Sequence, residues 1–196
     1  MRSLDEDLQA AVAFHGHLCM GMVLGVRMTR LGMQILGIDD PLNFRDLIVY
    51  VEMDRCATDA VSVATGCTLG RRRLKVVDYG KMAATFVNLA TNEAIRVAPK
   101  LVVYPQPGED PVVFLQGFKD EELFMWKKVL MSIPREDLPG KPLHNVVCEK
   151  CGEVVLDCRE VMVDSKTLCK ACVNKPYYQE VSERGDICVE DLRRVD

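Results

Sequence analysis

Two short stretches of this chain concentrate side chains that bind metals or move protons. FHGHLC, residues 14–19, sets His15, His17 and Cys19 within five positions, and the whole chain holds only three histidines. Imidazole and thiolate both ligate metals, and either imidazole could instead serve as base to a cysteine nucleophile. The second stretch carries two Cys-x2-Cys pairs, Cys148/Cys151 and Cys169/Cys172, with 17 residues between them. That spacing lets each tight turn aim two thiolates at one ion, and four thiolates close a tetrahedral zinc site with no position left for water. Gly152 follows the first pair, where such a turn calls for positive φ.

Further candidates lie between the two stretches. Cys56 falls at the start of a predicted helix whose cap is Asp54, and Gly66 ends that helix just before Cys67. A helix of that length spans about 16 Å, so Cys56 and Cys67 do not share one ion. Cys19, His17 and Cys56 converge if their two helix starts face each other, with Asp54 or Asp59 as an added oxygen ligand. Three protein ligands with one open position is a catalytic or substrate-binding arrangement. A Cys–His nucleophile pair and a pair of satisfied, buried histidines are the alternatives. No Cys-x2-Cys lies in this half, so the usual dithiol redox motif is absent.

The elements that must position these groups follow from patterning. Residues 5–14 read as a helix opened by acids, HGH interrupts it, and a longer helix runs from about Cys19 to Leu36. Gly21 and Gly25 are four apart on that helix and share the face that admits a close backbone approach. Residues 46–53 read as a strand. RRLKVVDYG and AATFVNLATNEAIRVAP read as strands of an antiparallel sheet, LVVYP and PVVFLQG less clearly so. Residues 120–133 read as a helix, with acids first and lysines later. The order predicts an α+β domain over 1–140, helices packed on a largely antiparallel sheet, rather than a repeated βαβ unit. A Pro- and Gly-containing linker, 133–145, leads to a cysteine-rich module over 145–196. There a hairpin turning at DSK separates the pairs, and the second pair opens a short helix, in the manner of treble-clef and zinc-ribbon modules. Cys158 reads as a spare buried thiol, and the stretch around Cys188 is uninformative.

Composition narrows the function. The chain has 196 residues, 48% of them apolar, and a net charge of −4. From His144 onward there are 8 Lys+Arg against 11 Asp+Glu, which argues against a nucleic-acid partner. Arg71-Arg72-Arg73 reads as a solvated loop or strand edge. The acidic start is unlike a secretory leader and the apolar run Leu18–Val26 is too short for a bilayer, so a cytoplasmic protein with no membrane partner is expected. Nine cysteines then mean metal ligands or reactive thiols rather than disulfides. There is no phosphate-binding loop, dinucleotide fingerprint or ferredoxin-type cysteine run.

FHGHLCMG with GVRM, Asp54-x-Cys56, Thr65-Gly66-Cys67-Thr68, Asp78-Tyr79-Gly80-Lys81 and the paired Cys-x2-Cys units together resemble the FmdE-like proteins, named for formylmethanofuran dehydrogenase. The match runs over most of residues 10–172 and departs at Met20, where proline is usual. The resemblance implies an α+β core with a Cys/His-lined cleft and a zinc-finger tail. It implies a site built on His17, Cys19 and Cys56, with His15, Cys67, Asp54 and Lys81 as orienting or substrate-facing groups. It also implies an association with molybdenum or tungsten formylmethanofuran dehydrogenase, which reduces carbon dioxide onto methanofuran. Two functions follow. One is a metal-binding protein, enzyme or accessory, with structural zinc in the tail, zinc or another transition metal in the cleft, and a small-molecule substrate. The other is an interaction module whose tail binds a partner protein. A homodimer is expected in either case.

Overall fold

The computed structural model describes residues 1–100, 105–174 and 176–179. The chain divides into two compact units, Met1–Gly140 and Lys141–Asp196.

In the first unit, Ser3 caps α1 (Leu4–His15) through a capping box with Glu6, and Gly16, at φ 95°, ends it. The chain reverses and enters α2 (Met20–Ile35), for which Cys19 is the N-cap. Strand β1 (Leu47–Val51) leads to α3 (Cys56–Thr65), closed by Gly66 at φ 67°. Then come β2 (Leu74–Val76), the hairpin β3 (Ala84–Asn88) and β4 (Glu93–Pro99), α4 (Pro111–Gln116), α5 (Asp120–Leu123) and β5 (Phe124–Val129). The five strands form one sheet in the order β2-β1-β3-β4-β5, antiparallel except for the parallel β1–β2 pair. Helix α3 is the crossover between those two strands, so one βαβ unit is embedded in an otherwise antiparallel sheet.

Alternation along the strands separates the two faces. Leu47, Val49 and Val51 join Phe86, Ile95 and Val97 in the main core under the helices. Ile48, Val87 and Ala94 form a smaller cluster on the opposite face with Tyr50 and Val129. On that face Glu52 accepts two hydrogen bonds from Arg96, each 2.6 Å.

Four sequence expectations are corrected. The expected helix over 120–133 stops at Leu123, because Phe124–Val129 pairs along the whole of β4 from Pro99 back to Ala94. Tertiary pairing and an aromatic, β-prone FMW run outweigh the helical charge pattern. PVVFLQ is a helix instead, since the Asp110 carboxylate accepts from the Val112 and Val113 N–H groups and Pro111 stands in the first turn. Strand β2 is parallel to its neighbour. Arg73 is buried, donating to the Phe44 and Gly66 carbonyls, while Arg71 stays exposed. LVVYP falls largely on residues 101–104, outside the described residues.

The second unit is built from hairpins. β6 (Asn145–Val147) pairs with β7 (Val154–Leu156) around the Cys148–Gly152 knuckle. β8 (Val161–Val163) pairs with β9 (Lys166–Leu168) through a turn with Asp164 and Ser165 both at positive φ. Helix α6 (Lys170–Val173) follows, capped by the Cys169 side chain.

Candidate metal centres

The tail centre grows from the knuckle. Gly152, at φ 77°, lets its N–H reach the Cys148 carbonyl, and the Cys148 N–H donates to the Glu153 carbonyl. The Cys169 N–H donates to Cys148 Sγ at 3.2 Å, and the Cys172 N–H to Cys169 Sγ at 3.4 Å. Such N–H···S bonds stabilise thiolates and orient them. One Sγ from each of Cys148, Cys151, Cys169 and Cys172 lies within 4.8 Å of the others, with Cys151 and Cys169 3.9 Å apart. Tetrahedral zinc with bonds of about 2.3 Å wants sulfurs about 3.8 Å apart, so the donor set fits such an ion. Backbone N–H groups of Cys151 and Cys169 push the Cys148 thiol down to about 6, whereas burial and the neighbouring thiols push Cys172 up to about 12. One thiolate and a set of thiols is what four crowded sulfurs do without a cation to neutralise them.

The second centre sits where three helix ends meet. His15 is the last residue of α1, Cys19 caps α2, and Cys56 opens α3. The left-handed turn at Gly16 folds His17 back so that the two imidazole centroids are 4.7 Å apart. A ring nitrogen of each histidine and Cys19 Sγ lie within 4.8 Å of one another. Cys56 reaches the same corner because α2 and α3 pack through glycine. A Cβ on Gly25 would come within 2.9 Å of the Ala57 backbone, and one on Gly21 would sit 3.1 Å from the Cys56 Cβ and 3.7 Å from Cys19 Sγ. Burial and the Cys19 thiol push the Cys56 thiol up.

His15 is held as a metal-ligating histidine usually is. Its Nδ1 lies 2.8 Å from Asp59 Oδ2, and its Nε2 is buried with no hydrogen-bond partner. A carboxylate on Nδ1 keeps the ring proton there and leaves the Nε2 lone pair for an ion. His17, by contrast, is exposed. The residues present therefore fit a transition metal with mixed nitrogen and sulfur donors.

The structure thus gathers His15, His17, Cys19 and Cys56 and leaves three candidates apart. Cys67 is fully buried in the main core, its Sγ donating to the Leu47 carbonyl at 3.6 Å, and burial pushes its thiol up. Asp54 is largely exposed beside Arg55, which takes the N-cap position assigned to Asp54 from sequence. Lys81 is exposed and lies over the Tyr79 ring. From sequence, Asp59 ranks only as equal to Asp54. Its position three after Cys56, on the same face of α3, is the signal that sets it apart. Met20, where the related motif has proline, is the first residue of α2, a position that takes either. Cys188 lies outside the described residues.

An α+β domain with a His/Cys corner, followed by a four-cysteine zinc-ribbon-like module, defines the class of protein. The family model described as "FmdE, Molybdenum formylmethanofuran dehydrogenase operon" matches residues 14–125, and the chain belongs to this family. A probable S-adenosyl-L-methionine-binding protein of Archaeoglobus fulgidus is 31% identical over 206 residues, which take in 89% of this chain and 54% of that protein. The chain thus spans about half the length of this relative. The crystal structure of an FmdE-like protein of tungsten formylmethanofuran dehydrogenase, from Syntrophus aciditrophicus, matches with a TM-score of 0.57 at 22% identity. The match covers 91% of this chain and 96% of that one, and it is a likeness of fold.

Proposed function

We propose that His15, His17 and Cys19 hold a metal ion, with Cys56 as fourth ligand or as a thiol facing the open position. The tail cysteines hold a second, structural ion. The observation that carries this reading is the buried, unpartnered His15 Nε2, with Asp59 fixing the opposite nitrogen. Imidazole with thiolate suits zinc, copper or iron, and zinc is the assignment made for both sites. When bound in the cleft, the ion supplies a Lewis acid to an oxygen or sulfur ligand. His15 and Asp59 orient it, and the helix ends leave one side of the corner to a small molecule. The family's description links it to a molybdenum formylmethanofuran dehydrogenase operon, which supports an accessory place in that one-carbon chemistry. S-adenosyl-L-methionine, named for the Archaeoglobus relative, is the first ligand to titrate.

Purified chain should carry about two zinc ions, one for each donor cluster. The double replacement Cys19→Ser, Cys56→Ser should remove one and leave the other. Metal content unchanged by the pair would overturn the cleft assignment.

The working state assigned to the chain is a cytoplasmic homodimer. Among the described residues no helix is long and apolar enough to cross a membrane. β5 is the edge strand of the sheet there, with Met125 and Trp126 about half exposed, and it offers a second copy both backbone groups and apolar surface. A monomer by light scattering at micromolar concentration would refute the dimer.

A further inference from the structure

In the second unit a cluster separate from the four tail thiols runs in a line. Cys158 Sγ lies 3.5 Å from His144 Nδ1, and His144 Nε2 lies 2.8 Å from Glu160 Oε1. The two partners occupy opposite nitrogens of one ring. Chelation would need the donors on one side of the imidazole, so this geometry is that of a proton relay.

A built turn holds the thiol in place. The Arg159 N–H donates to the Leu156 carbonyl at 3.2 Å, and both central residues are left-handed, φ 54° at Asp157 and 56° at Cys158. Glycine or asparagine is the usual occupant of the third position of such a turn, and here a cysteine stands there. The turn is tied to the histidine. The Asp157 N–H donates to the His144 carbonyl at 3.1 Å, and Asp157 Oδ1 accepts from the Leu143 N–H at 3.1 Å. The Glu160 carboxyl is held below its usual range by its own backbone N–H and by His144. A carboxylate on Nε2 puts the ring proton there and leaves the Nδ1 lone pair facing the thiol. The His144 side chain is 46% exposed and Cys158 is partly exposed, so a small molecule can reach the sulfur.

We propose that Cys158, His144 and Glu160 form a reactive-thiol site that takes small organic disulfides. Cys158 passes its proton to His144 Nδ1, and Sγ attacks one sulfur of the disulfide. A new S–S bond forms to Sγ as the original one breaks, and the departing thiolate takes the proton from the imidazolium. Cys158 ends as a mixed disulfide, the reagent's other sulfur leaves reduced to thiol, and no further oxidant enters.

The test uses the zinc-loaded full chain and oxidised glutathione, with the adduct mapped by peptide mass spectrometry. Cys158 in the folded chain should react about tenfold or more faster than Cys158 in the urea-unfolded chain at the same pH, since a positioned base contributes on the order of 10²–10⁴. His144→Gln should abolish that advantage and Glu160→Gln should reduce it, with zinc content unchanged. A folded Cys158 that reacts no faster than the unfolded one overturns the proposal. So does a zinc-retaining His144→Gln chain that reacts as fast as the parent. Should either variant lose zinc, the folded-against-unfolded comparison of the parent decides alone.

Discussion

At the scale of single residues, the sequence shows which side-chain types are present more readily than which atoms are left over. His15 and His17 look equivalent in FHGHLC. Only the fold distinguishes them, because Asp59 comes from α3 to take one nitrogen of His15 while His17 faces solvent. Cys67 shows the reverse failure. Its place in a Thr-Gly-Cys-Thr motif suggests chemistry, but the left-handed Gly66 turns it into the core against β1. The role given to Asp59 can be measured. Asp59→Asn keeps a hydrogen-bonding side chain but removes the charge that fixes the His15 tautomer. It should weaken cleft metal about 10–100-fold in a chelator competition and leave the tail metal unaffected. Equal affinity in the variant would mean that His15 does not ligate.

At the scale of elements, the parts that build the cleft are legible in the sequence and the parts that lie away from it are not. The helix starts at Cys19 and Cys56 carry local signals, namely a break at HGH before one and a strand-to-helix change before the other. The Gly21/Gly25 spacing marks the face through which α2 approaches α3. The segment 120–133 carries a local signal too, but β4 needs a partner along its whole length, and that need is not written in the segment. The glycine contact is the one on which the cleft depends. Gly25→Val places methyl groups against the Ala57 backbone, which cannot yield as a side-chain tip could. Overpacking of this kind costs about 1–3 kcal/mol. Thermal unfolding of the first unit should fall accordingly, and cleft metal should be lost along with it, because Cys19 and Cys56 are carried on the two helices being forced apart. A Gly25→Val chain that keeps both its stability and its cleft metal would show that the contact does not set the site.

At the scale of the whole molecule, the two units are stabilised by different means. The first has a broad core of Met22, Met28, Met33, Phe86, Ile95 and their neighbours. In the second, among the described residues, the buried apolar side chains are Cys148 and Val155. So little apolar burial does not offset the entropy of ordering its two hairpins, and the tail must fold with its metal. A chelator should therefore unfold the tail and leave the first unit intact. Limited proteolysis should then cut beyond Gly140 and yield a stable fragment ending near that residue. The effect should depend on pH in a fixed direction. Cys172 is a thiol at neutral pH and must lose its proton to the metal, so affinity weakens as pH falls. Below about 6 Cys148 also protonates, and the loss becomes steeper. A tail that resists proteolysis after chelation, or zinc release that does not steepen below that pH, would mean that the four sulfurs are not what holds the module together.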